Sequence, residues 1–131
     1  MSSFEIDASE VAKLEDAFDK AGALLLPAAK AVVAKGSLNI KKDWKARWSG
    51  FAHAPALPHA VTYDTKSGAD VIESEIGPDK GRAQGALGNL LEFGSENNAP
   101  IPGGLPALSA EEPRFVRASE EMVADVLEKL L

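Results

Sequence analysis

An apolar stripe near the start of the chain constrains the fold more than any other sequence feature. Its members follow one another in steps of three or four residues, which is the spacing of one face of an α-helix. The stripe comprises Val11, Leu14, Phe18, Ala21 and Leu25. Asp7 or Ser9, just before it, has the side chain of a helix N-cap. The chain is therefore expected to begin with a long amphipathic helix.

Pro27 and Gly36 are expected to limit this helix. Pro27 has no backbone N–H, so it should kink the helix or begin a second one, and Gly36 should end it. Beyond Gly36, Ile40, Trp44 and Trp48 recur at every fourth residue. This favours a helix, although Trp44, Ala46 and Trp48 also stand at alternate positions, as on one face of a strand.

The middle of the chain carries the pattern of a β-hairpin. Residues 60–65 and 71–76 are rich in β-branched and aromatic side chains, and a turn containing Gly68 separates them. Residues 87–93 follow a glycine-rich stretch and fit either a strand or a helix. Residues 95–106 have the composition of a loop, and a loop of that length is a candidate docking element.

A second helix is expected at the end of the chain. Ser109 and Glu112 have the spacing of a capping box. The apolar stripe that follows comprises Phe115, Met122, Val123, Val126, Leu127 and Leu130. Together these patterns predict one α+β domain over residues 1–131, with a small antiparallel sheet between two helices and with residues 1–7 and 95–108 flexible or docking.

The composition excludes several classes of protein. A chain of 131 residues with 45% hydrophobic and 26% charged residues is typical of one globular domain. The absence of cysteine excludes disulfides, thiolate nucleophiles and cysteine-based zinc sites. The net charge of −6 argues against a protein that mainly grips phosphate backbones. The apolar stretch 21–34 is expected to be too short for a membrane span, and no secretory signal is expected, which favours the cytoplasm.

The sequence gives little evidence for catalytic or metal-binding residues. His53 and His59 match no metal-ligand spacing, and Glu73 and Glu75 alternate as on the solvated face of a strand, although paired carboxylates also serve glycoside hydrolases. The glycine-rich segment 77–82 lacks the spacing of a phosphate-binding loop. We therefore expect no enzyme activity, no cofactor and no metal.

Residues 41–48 combine four cations with Trp44 and Trp48. That combination can neutralise phosphates and stack on bases, which makes a small nucleic-acid-binding protein the alternative function. On a helix, however, the two tryptophans would share the apolar face and fill the core, and this interpretation is favoured.

Four blocks of the sequence together resemble a known family. They are Ala54-Pro55-Ala56-Leu57-Pro58-His59-Ala60-Val61, Ile76-Gly77-Pro78-Asp79-Lys80, Gly85-Ala86-Leu87-Gly88-Asn89-Leu90-Leu91-Glu92-Phe93-Gly94, and Ala99-Pro100-Ile101-Pro102 before Pro106-Ala107-Leu108. Their order and approximate spacing resemble the head-to-tail joining proteins of tailed phages, also called neck, minor tail or tail-completion proteins. The resemblance covers about residues 8–130. Gly103-Gly104 departs from it, because many relatives carry a bulky apolar residue there.

The resemblance implies a structural virion protein of siphophages that is assembled in the cytoplasm of the bacterial host. Copies would form a six-fold or twelve-fold homo-oligomeric ring at the head–tail junction. The ring would join the connector or head-completion protein to the tail terminator or tail tube, and DNA would pass through its lumen without specific binding. Carboxylates lining that passage would offer DNA few cations to bind. No catalysis, cofactor or membrane belongs to this role.

The resemblance also indicates interface residues. They are Gly85, Leu87, Leu91, Glu92, Phe93, Gly94, Pro100 and Pro102. The apolar members Leu87, Leu91 and Phe93 equally fit the core of a single subunit, with the glycines serving turns.

Overall fold

The computed structural model describes residues 8–68 and 71–130. Its elements are α1 (Ala8–Arg47), α2 (Leu57–Ala60), β1 (Val61–Ser67), β2 (Ile72–Pro78), a 3₁₀ turn (Gly85–Leu87), α3 (Gly88–Phe93) and α4 (Gly104–Leu130). The predicted α+β class, with a long first helix, a two-stranded antiparallel sheet and a C-terminal helix, is confirmed. Residues 1–7, predicted to be flexible or docking, lie outside the described residues. They include Asp7, one of the two predicted N-cap residues.

Helix α1 runs through both residues that were expected to limit it. It continues past Pro27 and past Gly36 to Arg47, so the prediction that it ends at Gly36 is wrong. Gly36 is instead buried against α4, where a Cβ would lie 3.0 Å from Cδ2 of Phe115. The glycine therefore permits close helix packing and does not terminate the helix. Ser9 lies inside α1, which begins at Ala8, so it is not the N-cap.

The continuity of α1 also corrects the expected length of its apolar segment. By length and composition alone, Glu15–Arg47 could cross a membrane, with a window of mean hydropathy 1.3 that is 11% buried. Core helices of globular proteins have the same composition but are mostly buried, whereas little of this window is buried; Ile40 and Trp44, which α1 contributes to the core, lie nearer the end of the helix. The segment is thus longer than the sequence suggested.

The predicted hairpin is confirmed, with each strand displaced by about one residue. Strands β1 and β2 pair antiparallel with Tyr63 opposite Ile76, and the N–H of Gly68 donates to the carbonyl of Val71 at 2.7 Å beyond the strand ends. The sheet lies against α1, where Oγ of Ser37 and Oγ of Ser74 are hydrogen-bonded at 2.6 Å. The hairpin thus covers the second half of α1.

Helix α4 lies alongside α1 in the opposite direction. Asn39 Nδ2 donates to Oε1 of the buried Glu111 at 3.1 Å. Leu25, which precedes Asn39 on α1, and Met122, which follows Glu111 on α4, line one groove between the two helices. The capping box predicted from Ser109 is wrong, because α4 begins five residues earlier at Gly104. The loop before it is correspondingly shorter and spans residues 94–103.

The core lies where the second half of α1 meets the hairpin and the start of α4. Trp44 and Trp48 pack edge to face, with their ring centroids 5.4 Å apart and an interplanar angle of 76°. Trp48 is fully buried, and so are Leu57 and Val61 in the same core. The helical interpretation of residues 38–48 is confirmed as far as Arg47, where α1 ends, and the assignment of both tryptophans to the core is confirmed as well.

Candidate functional site

Glu92, which belongs to the sequence block 85–94, connects α3 to the start of α4 through hydrogen bonds. Its carboxylate accepts hydrogen bonds from the backbone N–H groups of Gly103 at 2.9 Å, Gly104 at 3.1 Å and Leu105 at 3.3 Å. The first N–H groups of a helix have no partner within the helix, and a negative charge at that end is favoured by the helix dipole. Glu92, on α3, is therefore the N-terminal cap of α4.

The backbone that follows lies directly on the tryptophan core. A Cβ at Gly103 would lie 2.5 Å from Cδ1 of Trp44, and one at Gly104 would lie 2.6 Å from its Cη2. Trp48 Nε1 donates to the carbonyl of Ile101 at 2.9 Å. The two glycines that depart from the resembling family are thus the residues that let this loop contact the indole rings.

Gly85 and Gly94 are also required inside the subunit. A Cβ at Gly85 would lie 1.7 Å from the carbonyl oxygen of Asp79, so the two backbone segments are in contact there. Gly94 has a φ of +75°, and a Cβ on it would lie 2.8 Å from the carbonyl oxygen of Asn98. Both glycines fix the path of the chain around α3.

The other predicted interface residues divide into an inward and an outward group. Leu91 packs against the core and its carbonyl accepts a hydrogen bond from the N–H of Ile101 at 2.6 Å. Phe93 is 78% exposed and Leu87 is 37% exposed. Pro100 and Pro102 are exposed as well. The segment 87–93, whose type the sequence left open, is the end of a 3₁₀ turn followed by α3.

Three further apolar side chains, on α3, on the loop after it and at the start of α4, are exposed as well. Leu105 is 67% exposed, Leu90 53% and Ile101 46%. We call Leu87, Leu90, Phe93, Ile101 and Leu105 the apolar rim. Three of its members also line a cavity of about 380 Å³ that reaches Phe51 and Leu91. Sequence reasoning missed Leu90, Ile101 and Leu105, because only the packing of α3 and the loop on the core shows which side they leave exposed.

The remaining candidates for chemistry are dispersed. His53 and His59 are exposed, and so are Glu73 and Glu75. Glu75 lies 3.8 Å from Nζ of Lys66 in an exposed ion pair. Within residues 8–68 and 71–130, no group of three or more His, Asp or Glu side chains is placed to hold a metal ion.

The segment 77–82 forms a local turn. The N–H of Gly81 donates to Oδ1 of Asp79 at 2.8 Å. A carboxylate from the same loop therefore occupies one amide that a phosphate-binding loop would direct at its ligand.

The cations of segment 41–48 lie outside the buried tryptophans. Arg47 pairs with Asp43 at 2.9 Å, and Lys41 Nζ lies 5.6 Å above the ring of Tyr63. Partial burial, with added repulsion from Lys41 and Arg82, lowers the pKa of Lys45. Because Trp44 and Trp48 are enclosed, this segment presents charge without an indole platform for base stacking.

Comparison of the chain with protein-family models, with curated proteins and with solved structures finds no match. The resemblance to phage head-to-tail joining proteins therefore depends on the four sequence blocks themselves. The structure adds the positions of these blocks in the fold, which decide what each of them can contact.

Proposed function

We propose that this chain is a structural subunit of the head–tail junction of a tailed phage. Copies of it form a homo-oligomeric ring that joins the connector to the tail tube and leaves a passage for DNA, and the chain performs no reaction. The order and spacing of the four resembling blocks support this assignment. So does their location, because three of the blocks contribute Leu57, Glu92 and Ala107 to one region around Trp48.

The observation that carries the proposal is the apolar rim. Its side chains project from a backbone that is fixed by the Glu92 cap and by the Trp48 hydrogen bond, so they stay exposed without a partner. Phe93 and Leu105 each keep about two-thirds or more of their surface in contact with water, at 78% and 67%. Large apolar side chains that a fixed backbone keeps exposed indicate a contact with another protein, and Leu87, Leu90 and Ile101 of the rim adjoin one another around a single cavity.

Residues that support the rim and residues that form it would have different roles in such a ring. Glu92, Gly94 and Gly103 fix the backbone, while Phe93 and Leu105 contact the neighbouring subunit or the adjoining ring. Burying one such side chain fully contributes about 1.5–3 kcal/mol, and a ring repeats the contact at every interface.

Complementation of a phage that lacks this gene tests the proposal. Electron micrographs of particles made without the protein should show filled heads and finished tails that are not joined. The wild-type gene supplied from a plasmid should restore joining. The double variant Phe93→Asp, Leu105→Asp should fail to restore it, because two buried carboxylates in the contact lack partners.

A matched control separates loss of contact from loss of fold. Leu24→Asp places a carboxylate at a side chain of α1 that is 36% exposed and lies outside the rim, so it should join heads to tails normally. All three purified proteins should show the same circular dichroism spectrum. Normal infectious particles from the deletion strain, or full complementation by the rim variant, would contradict the proposed function.

A further inference from the structure

Charge is distributed very unevenly along this molecule. Segments 41–47 and 79–82 hold six of the 14 Lys and Arg residues but only two of the 20 Asp and Glu residues. Eight cations and 18 acids make up the rest of the chain. Residues 120–128 are the opposite extreme, with four acids and no cation. The subunit is therefore cationic at one place and strongly acidic at another.

The cationic group is a defined surface patch. Lys41 and Lys45 lie one turn apart on α1, and Arg82 lies close enough for its charge to lower the pKa of Lys45. Arg82 is held in place by Asp79 at 3.7 Å and by a hydrogen bond to the carbonyl of His59 at 3.4 Å. We call Lys41, Lys45 and Arg82 the cationic patch. Within the described part of the chain, neither lysine of the patch has a carboxylate within 4.0 Å.

The acidic group is an exposed row on α4. Glu121, Asp125 and Glu128 follow in steps of four and three residues, so they share one face of the helix. All three are exposed, and none has a cation within 4.0 Å among residues 8–68 and 71–130. We call these three residues the acidic row.

The two groups cannot neutralise each other within one subunit. Asn39 lies beside Glu111, and the antiparallel helices place Met122 beside Leu25, so the acidic row is level with the first half of α1. Lys45 is about 20 helical residues away from that level, or roughly 30 Å. The Debye length at physiological salt is about 8 Å, so the attraction across this distance is screened.

We propose that the cationic patch of one copy binds the acidic row on α4 of the next copy. The contact is heterologous, since each copy contributes a different surface, and repetition of such a contact closes a ring when the rotation permits. The pairs are spaced alike, because Lys41 and Lys45 are one helical turn apart and so are Glu121 and Asp125. This inference rests on the proposed function, which it deepens by naming the surfaces that join neighbouring copies.

A second copy fits the cationic patch better than a nucleic acid does. The patch has a complement of matching spacing on the same chain, whereas the remaining surface of the subunit is acidic and would repel a phosphate backbone. The tryptophans beside the patch are buried, so they offer bases no stacking surface. DNA retention by the patch is consequently the competing outcome of the test.

Charge exchange between the two surfaces provides that test. The variant Lys41→Glu, Lys45→Glu carries acids on both surfaces, and the variant Glu121→Lys, Asp125→Lys carries cations on both. Each should associate at least about tenfold more weakly than wild type in sedimentation at low salt, since attraction is replaced by repulsion. An equimolar mixture of the two variants should associate again, as should the chain that carries all four substitutions.

Cross-linking and a control variant locate the contact. A carbodiimide, which joins amines to carboxylates in direct contact, should link Lys41 or Lys45 to Glu121 or Asp125 between wild-type copies. The control Lys30→Glu, Lys35→Glu reverses two exposed lysines of α1 outside the patch and should associate like wild type. Association of the wild type, of the control and of the equimolar mixture should weaken as salt rises, because salt screens the attraction, whereas salt should not weaken association of either charge-reversed variant alone.

Several outcomes would overturn the inference. They are a wild-type chain that stays monomeric at low salt without the expected cross-links, a mixture of variants that does not associate, and patch variants that lose retention on DNA while self-association is unchanged. Complementation separates this failure from failure of the proposed function. Patch variants that still join heads to tails refute the charge contact alone, whereas absence of the protein from virions refutes the junction role and leaves the contact intact.

Discussion

Removal of the Glu92 carboxylate should destabilise the fold around the apolar rim. In Glu92→Ala, the N–H groups of Gly103, Gly104 and Leu105 lose their acceptor. Loss of a cap costs about 0.5–2 kcal/mol, and a hydrogen bond to a charged group contributes about 1.5–3 kcal/mol. Gly103 is buried, so water cannot fully replace the carboxylate there. We expect a total loss of about 2–4 kcal/mol in the free energy of unfolding.

Urea denaturation followed by circular dichroism measures this loss directly. For a chain of this size, 1 kcal/mol corresponds to roughly 3–5 °C in Tm, so thermal unfolding should shift by about 10 °C. Glu92→Gln should be intermediate, because its amide keeps one acceptor oxygen but directs an N–H₂ group at the same donors. Glu96→Ala, an exposed acid in the following loop, is the control and should stay within about 0.5 kcal/mol of wild type. An equally small effect of Glu92→Ala would refute the capping argument.

Other substitutions test the packing and the charges. Gly103→Ala should lower the free energy of unfolding by about 1–3 kcal/mol, because its Cβ would collide with the rings of Trp44 and Trp48, and an unchanged free energy in urea denaturation would contradict that packing. Gly22→Ala, on an exposed stretch of α1 with no atom within 4 Å of the new Cβ, should instead raise it by roughly 0.5–1 kcal/mol; a loss would contradict the assigned surroundings. The pKa of Lys45 is lower in the folded chain than its ordinary 10.5, so its charged form destabilises the fold, and this cost disappears as the pH rises through 10.5. Lys45→Gln should therefore be more stable than wild type at about pH 8, with the difference shrinking towards about pH 11, and a difference that stays constant over this range would contradict the argument.

Periodic patterns were sufficient to predict the main elements. The spacing of Ile40, Trp44 and Trp48 indicated a helical face, and the structure buries all three. The β-branched runs on both sides of Gly68 indicated the hairpin. These elements were predictable because each one's pattern lies within a few residues of sequence.

The misassigned positions depend on residues far away in the chain. Gly36 looks like a helix end, but its partner is Phe115, and only packing of α4 shows that the glycine serves close approach. Ser109 looks like an N-cap, whereas the actual cap is Glu92, which belongs to another element. Local sequence does not encode either pairing.

The candidate site was predicted in part for the same reason. Resemblance identified Glu92 and Phe93 as adjacent members of one block, but it did not separate their roles. In the structure, Glu92 faces the backbone of α4 and Phe93 is 78% exposed. Leu105 was assigned to a loop and lies in the first turn of α4, which places it on the rim.

Immunogold labelling of intact virions tests the central claim most directly. With antibodies raised against the purified chain, we predict gold particles at the head–tail junction of every complete particle, and no label on heads or tails purified from the deletion strain. Infectious virions that carry no label when opened at the neck, in a preparation whose antibody detects the purified protein, would contradict the account.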